Sequence, residues 1–300
     1  MEYDSQGFVT AGDGTPIFYG VRGKGPPIIL CDGLGCAGFA WRYLQPKLSR
    51  NHRVVHWHYR GHGRSGLPPD PKSTSIAGLA DDLAQLLQSL SLEPATIVGH
   101  SMGTQVALET YRRCPERVRS LALLCGSHGS VTSHFHGTDT LKQVLPRVID
   151  MVKERRGWAR ALWGRVPASV AYRMGKLSGE FKGVDFREED FKAYWDHIAL
   201  LDPDLFLATL RAAGEHSAED LLGEITVPTL VVGAERDTFT PPARAQEMAD
   251  RIPTADFHLL NDSSHAAPVE LPMTIYGIMK EFLLRTESSR ALTPSDVDAE

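Results

Sequence analysis

The alternation of short apolar runs with helical stretches constrains the fold of this chain most strongly. Apolar runs at 27–31 and 53–57 are bounded by glycine or proline, which is typical of buried parallel strands. From Leu79 to Leu90, leucines recur at the spacing of one helix face. Later strand-like runs lie at 95–98, 120–124, 228–232 and 256–260. This alternation predicts an α/β fold, with a mostly parallel central sheet and helices on both faces.

Between about residues 127 and 216 the strand pattern disappears, and the segment has helical character. Within this segment, helices are predicted at 141–155, 188–201 and 203–214. A further helix is predicted after the last strand, at 268–285. We therefore expect an α/β core formed by residues 1–126 and 217–287, with residues 127–216 inserted as a helical cap. Residues 288–300 are polar and aperiodic, which predicts a flexible tail.

The motif Gly99-His100-Ser101-Met102-Gly103 follows one predicted strand and begins a helix. A nucleophilic serine at such a sharp turn lies in strained backbone and needs small neighbours, which the two glycines provide. The N-terminus of the following helix favours developing negative charge. An ordinary strand-to-helix turn with an incidental serine is the alternative. The context favours Ser101 as a nucleophile.

A serine nucleophile needs a base that a third group orients. Asp237 follows the strand predicted at 228–232, and His265 follows the strand at 256–260. The carboxyl ends of strands in an open α/β sheet form the edge where sites assemble. We predict His265 as the base and Asp237 as its acid. Asp237 could instead be a turn residue, with Glu235 or Asp262 in its place.

Acyl transfer also requires N–H donors for the oxyanion. The backbone N–H of Met102, which follows the nucleophile, is one predicted donor. Leu34 is the second candidate, because Gly33 and Gly35 let the backbone of this loop approach a substrate closely. A structural tight turn is the alternative interpretation of the loop, and it does not exclude the donor role.

With these motifs and residues 59–65, which look like a D-x-R-G-x-G-x-S loop, the chain resembles the α/β-hydrolase superfamily over about residues 8–286. The resemblance is to its small bacterial serine esterases, lactonases and cofactor-free perhydrolases. Two positions depart from the pattern: Asp32 stands where histidine is frequent, and His58 where aspartate is usual. Serine at position 101 argues against haloalkane dehalogenases and epoxide hydrolases, which attack with aspartate.

The resemblance implies hydrolysis of carboxylic esters through an acyl-enzyme, without a metal or an organic cofactor. A lactonase, a C–C bond hydrolase or a perhydrolase would use the same triad. A binding protein that has lost turnover is the rival from another class. The cap predicts a mostly apolar pocket for a small or medium acyl group.

The pocket candidates are Trp41, His100 and His128. His128 lies close in sequence to His134 and His136, but no carboxylate or cysteine pattern completes a metal site around them. We therefore expect these three histidines to line the cap entrance, and no metal is predicted.

Charge and targeting signals limit the partners and the compartment. A formal net charge of -5 argues against nucleic-acid binding. The first residues lack the features of a signal peptide, and no apolar run is long enough for a membrane helix. The four cysteines lack the paired spacing of a zinc or redox motif. We expect a cytoplasmic protein that acts on a small molecule; the oligomeric state is left open.

Overall fold

A computed structural model describes residues 1–129, 163–178 and 187–291 of the chain. Its strands are β1 (Ser5–Thr10), β2 (Pro16–Arg22), β3 (Pro27–Cys31), β4 (Arg53–Trp57), β5 (Ala95–His100), β6 (Val118–Leu124), β7 (Thr229–Ala234) and β8 (Ala255–Leu260). Its α-helices are α1 (Gln45–Leu48), α2 (Ile76–Ser89), α3 (Met102–Arg113), α4 (Ala168–Ser178), α5 (Glu188–Leu200), α6 (Pro203–Glu215), α7 (Pro242–Arg251), α8 (Ala267–Glu270) and α9 (Pro272–Ala291).

The eight strands form one sheet in the order β1-β2-β4-β3-β5-β6-β7-β8. Strand β2 is antiparallel to both of its neighbours, β1 and β4, and the remaining pairs are parallel. The predicted mostly parallel sheet is confirmed. Every residue of β3, β5 and β7 is buried, because helices cover both faces of the sheet.

Successive side chains of the central strands enter different hydrophobic clusters. Ile29 packs with residues of α2 and α3 on one face, whereas Ile28 and Leu30 pack with α1 and α9 on the other. This is the two-residue alternation of a strand. The sheet therefore lies between two apolar layers, which hold the carboxyl ends of the parallel strands in register.

The C-terminal helical region differs from its prediction in two ways. The single helix predicted at 268–285 is divided into α8 and α9 around Leu271, where Pro272 begins the second helix. Proline suits the first turn of a helix and not its interior. Helix α9 continues to Ala291, so residues 288–291, assigned to the tail from sequence, are helical. Residues 292–300 lie outside the described part of the chain.

Helices α4, α5 and α6 lie in sequence between β6 and β7, inside the segment predicted as a cap. Two of them correspond to the helices predicted at 188–201 and 203–214. The helix predicted at 141–155 lies outside the described residues. Within the described residues, no helix combines the length and the hydropathy that membrane crossing requires.

Candidate active site

Ser101 lies at the sharp turn between β5 and α3, with a backbone φ of 56°. A positive φ is unfavourable for a residue with a side chain, and such strain occurs at functional sites. A Cβ on Gly99 would lie 2.3 Å from the carbonyl oxygen of Gly103, and one on Gly103 would lie 2.2 Å from that of Cys31. Both glycines are therefore sterically required, which lets the turn present the Ser101 side chain beyond the strand end.

Three predicted side chains meet at the carboxyl edge of the sheet. The Ser101 Oγ lies 2.9 Å from His265 Nε2, and His265 Nδ1 lies 2.8 Å from Asp237 Oδ2. A carboxylate can only accept, so the imidazole carries its proton on Nδ1 when neutral. The Nε2 lone pair then faces the hydroxyl of Ser101. This geometry can transfer the serine proton to the imidazole.

Asp237 is held by a network that the sequence analysis did not include. Its Oδ1 accepts hydrogen bonds from the N–H groups of Phe239 (2.9 Å) and Thr240 (2.8 Å). The Thr240 hydroxyl lies 2.8 Å from both Asp237 Oδ2 and the carbonyl oxygen of Cys125. The carboxylate orientation is therefore determined by the turn that follows β7 as well as by His265.

The two alternative acids make other contacts. Glu235 Oε2 accepts the N–H of Asp262 at 2.9 Å, and the Asp262 carboxylate pairs with the Arg236 guanidinium. Among the described residues, Asp237 is the acid of these three that hydrogen-bonds to His265.

The loop after β3 passes beside the serine. A Cβ on Gly33 would lie 3.1 Å from Ser101 Cβ, so only a backbone without a side chain fits this close approach. The N–H of Leu34 finds no acceptor among the residues described. The N–H of Met102 lies in the first turn of α3, where intrahelical acceptors are absent. Both predicted oxyanion donors thus lie near the turn that carries Ser101.

Asp32, one of the two departures from the superfamily pattern, is buried and fully partnered. Its carboxylate lies 2.7 Å from His56 Nε2 and accepts the N–H of Gly38 at 3.0 Å. The Tyr59 hydroxyl donates to the Asp32 carbonyl oxygen at 2.6 Å. Burial alone would raise the pKa of Asp32, but the His56 imidazole and the Gly38 N–H outweigh it and lower the pKa of the carboxyl group. The carboxylate therefore supports the loop that follows β3 through Gly38 and β4 through His56.

His58, the second position that departs from the superfamily pattern, makes contacts that hold a neighbouring loop. Its Nδ1 accepts the N–H of Arg64 at 2.8 Å, and burial lowers the pKa of the imidazole to about 3. His58 is therefore neutral near pH 7. Its ring and Ser65, whose hydroxyl donates to the His58 carbonyl oxygen, hold the glycine-rich loop of residues 59–65.

The pocket candidates lie in different surroundings. His100 is buried, its Nε2 lies 2.9 Å from the carbonyl oxygen of His265, and burial lowers its pKa to about 4. Trp41 is fully buried in the core, and its ring is nearly perpendicular to that of His100. Because none of its surface is exposed, the structure gives the predicted substrate contact no support. His128 Nε2 lies 3.5 Å from Glu247 Oε1 of α7, and neither ring nitrogen hydrogen-bonds to Ser101, Asp237 or His265 in the described part of the chain.

Phe239 has a place in the site that the sequence analysis did not assign. Its ring centroid lies 5.0 Å from that of His265, and the side chain is 37% exposed. An exposed aromatic ring beside His265 is placed to contact a bound molecule.

No group of His, Cys, Asp and Glu side chains able to hold a metal ion occurs within residues 1–129, 163–178 and 187–291. His134 and His136 lie outside these residues. All four cysteines are free and buried.

Comparison with known proteins relates the chain to one family by sequence and by fold. A family model described as alpha/beta hydrolase fold matches residues 26–272. The putative carbamate hydrolase RutD of Azorhizobium caulinodans is 27% identical over 276 residues, covering 91% of this chain and 95% of its own. A thermophilic esterase from Thermogutta terrifontis superposes with a TM-score of 0.76 at 24% identity, covering 94% of this chain and 99% of the other. An N-acyl homoserine lactone degrading enzyme has a TM-score of 0.70 at 24% identity, with 91% and 99% covered.

Proposed function

Because the chain belongs to the alpha/beta hydrolase fold family, we propose that it is a serine hydrolase that cleaves carboxylic esters of small to medium acyl groups. The observation that carries this proposal is the chain of hydrogen bonds from Ser101 through His265 to Asp237, at a strained turn. These are the parts that activate a serine hydroxyl, which is a weak nucleophile at its ordinary pKa.

In the proposed acylation step, Ser101 Oγ attacks the ester carbonyl carbon while His265 Nε2 takes the hydroxyl proton. The carbonyl oxygen becomes an oxyanion, which accepts hydrogen bonds from the N–H groups of Leu34 and Met102. Collapse of this intermediate breaks the bond to the alcohol, and His265 returns the proton to the leaving oxygen. The products are the free alcohol and an acyl group on Ser101.

Deacylation uses the same groups with water as the nucleophile. His265 takes a proton from water, the hydroxide attacks the acyl carbon, and the proton returns to Ser101 Oγ as the acid leaves. Asp237 holds the imidazole in the productive tautomer and stabilises the imidazolium in both steps. Residues 127–216 are proposed as the cap over the pocket, joined to a core formed by residues 1–126 and 217–287.

Other substrates suit the same triad and belong in the test. A lactone is an ester whose alcohol remains attached, and a carbamate also presents an acyl carbon. One similar protein is a putative carbamate hydrolase and another is an N-acyl homoserine lactone degrading enzyme, which makes both classes useful comparison substrates. For C–C bond cleavage a ketone would replace the ester as substrate, and for perhydrolysis peroxide would replace water as the nucleophile that attacks the acyl group.

The proposal is tested by hydrolysis of p-nitrophenyl esters from C2 to C12. Wild type should turn over, and Ser101→Ala should lose turnover by at least about 10³-fold, since the nucleophile is absent. Ser89→Ala, a change of an exposed serine in α2, is the matched control and should behave as wild type. Undiminished turnover in Ser101→Ala would refute the proposal. Activity on lactones or carbamates but on no open-chain ester would redirect the substrate assignment.

A further inference from the structure

Helix α5 contacts the loop that follows β3 and carries the proposed donor Leu34 (residues 32–36, named the oxyanion loop). It does so through two polar side chains on one face of the helix. The Tyr194 hydroxyl donates to the carbonyl oxygen of Leu34 at 3.4 Å, and His197 Nδ1 lies 2.7 Å from the carbonyl oxygen of Gly35. Residues three apart in a helix point to the same side. Two consecutive carbonyl groups of the loop are thus bonded by a helix about 160 residues later in sequence.

The partners of His197 determine which of its nitrogens carries the proton. The backbone N–H of Gly63 lies 2.9 Å from Nε2 and can only donate, so Nε2 accepts. The proton of the neutral ring is then on Nδ1, and it is donated to Gly35. One imidazole therefore connects the oxyanion loop to the glycine-rich loop of residues 59–65.

The bonded carbonyls are the central ones of a tight turn. The N–H of Cys36 donates to the carbonyl oxygen of Gly33 at 3.2 Å, which closes a turn with Leu34 and Gly35 in the middle. Gly35 has a φ of 68°, as the third position of some turns requires. The Gly35 carbonyl shares a peptide group with the N–H of Cys36, and the Gly33 carbonyl that accepts this N–H shares one with the N–H of Leu34. A bond to Gly35 therefore constrains the direction of the Leu34 N–H through the turn.

Helices α5 and α6 pack directly on this turn. A Cβ on Gly35 would lie 3.0 Å from Ile198 Cγ1 and 3.2 Å from Phe206 Cε2. Burial also raises the pKa of the Tyr194 phenol, so its hydroxyl stays a donor. The hydrogen bonds are therefore held within a packed contact between the inserted helices and the loop.

We propose that His197, assisted by Tyr194, is a positioning residue that aims the Leu34 N–H at the oxyanion. The inserted helices then complete the oxyanion hole as well as covering the site. This inference rests on the proposed serine-hydrolase function. It predicts a loss of kcat with little change of KM when the Gly35 bond is removed, because the oxyanion forms only in the reaction.

The two bonds of His197 are separable by substitution. The amide nitrogen of asparagine lies near the position of Nδ1 and can donate to Gly35, while glutamine reaches the position of Nε2 and can accept from Gly63. For His197→Ala and His197→Gln we expect kcat to fall about 10- to 100-fold, with KM within about threefold of wild type. For His197→Asn, which keeps the donor to Gly35, kcat should lie within about threefold of wild type. Lys192→Ala, on the exposed side of α5, is the control.

Tyr194→Phe removes a single hydroxyl and provides a second variant for the same turn. A decrease of kcat of about three- to tenfold is expected, because the 3.4 Å bond is long. Thermal unfolding of each variant identifies a temperature at which all remain folded, and the kinetics are measured there.

Wild-type kcat in both His197→Ala and His197→Gln, a change confined to KM, or a His197→Asn variant as slow as His197→Ala would each overturn the inference. Ser101→Ala is measured in parallel. Loss of turnover in Ser101→Ala with unchanged His197 variants would refute the positioning role alone. Turnover that survives in Ser101→Ala would refute the proposed function itself.

Discussion

Replacing Asp237 by asparagine changes one atom of the triad and leaves its shape. Two backbone N–H groups, those of Phe239 and Thr240, point at Oδ1, so the asparagine oxygen must occupy that position. The NH₂ group then takes the position of Oδ2, 2.8 Å from His265 Nδ1. It donates to Nδ1, which moves the imidazole proton to Nε2. Ser101 Oγ then faces a donor and has lost its base.

The expected cost follows from this reversed tautomer. The same substitution in a trypsin-like triad lowers kcat about 10⁴-fold with intact geometry, which corresponds to about 5 kcal/mol of transition-state stabilisation. We expect a loss of similar size here. Stability should change little, because the NH₂ group can donate to Thr240 while the Thr240 hydroxyl donates to Cys125.

The assay is kcat and KM on the preferred ester, with thermal unfolding as a check on the fold. Asp262→Asn is the matched control, since Asp262 is an exposed acid of the neighbouring loop that pairs with Arg236. Its φ of 54° is one that asparagine tolerates. An Asp237→Asn variant within tenfold of wild type, or an equal loss in Asp262→Asn, would refute the tautomer argument.

Three further predictions concern packing, buried polar contacts and pH. Gly103→Ala should lower the free energy of unfolding by several kcal/mol in urea titrations, because its Cβ would lie 2.2 Å from the Cys31 carbonyl oxygen; unchanged stability would contradict this contact. Thr240→Val should cost about 1.5–3 kcal/mol of stability and lower kcat, since Asp237 and Cys125 lose a hydroxyl partner; full retention of both would contradict it. Stability should also fall as pH decreases from about 6.5, by up to about 1.4 kcal/mol per pH unit for each histidine that is neutral only when folded. Three histidines meet this condition, because burial lowers their pKa in the folded state to about 3 or 4: His58, His62 and His100. The lower folded pKa means that the unfolded chain binds more protons in this range; urea titrations from pH 7.5 to 5 that show no decline would contradict it.

The central strands were predictable because burial on both faces leaves continuous apolar runs. The run at 27–31 coincides with β3, and the run at 53–57 coincides with β4. No strand is predicted before residue 27. Strand β1 lies at the sheet edge and carries exposed polar residues, so it has no such run. Strand β2 is continuous, but Gly20, over which the Tyr3 ring packs, interrupts its run of apolar side chains.

The meeting of Ser101, Asp237 and His265 at one sheet edge could be expected from sequence because each follows its own strand, and local sequence indicates strand ends. Their partners were not predictable in the same way. His56 pairs with Asp32 only because β3 and β4 are neighbours in the sheet. His197 reaches Gly35 across 162 positions of the sequence, and no local pattern marks it. The sequence favours Asp237, but separating it from Glu235 and Asp262 required the direction of each side chain.

Covalent labelling of the nucleophile tests the account most directly. A p-nitrophenyl phosphonate ester phosphonylates an activated serine and leaves a stable adduct, which intact-protein and peptide mass spectrometry can locate. We predict one adduct, on Ser101, in wild type, with labelling strongly slowed in His265→Ala and absent in Ser101→Ala. An adduct on another residue, or equal labelling of Ser101→Ala, would contradict the assignment of Ser101 as the nucleophile.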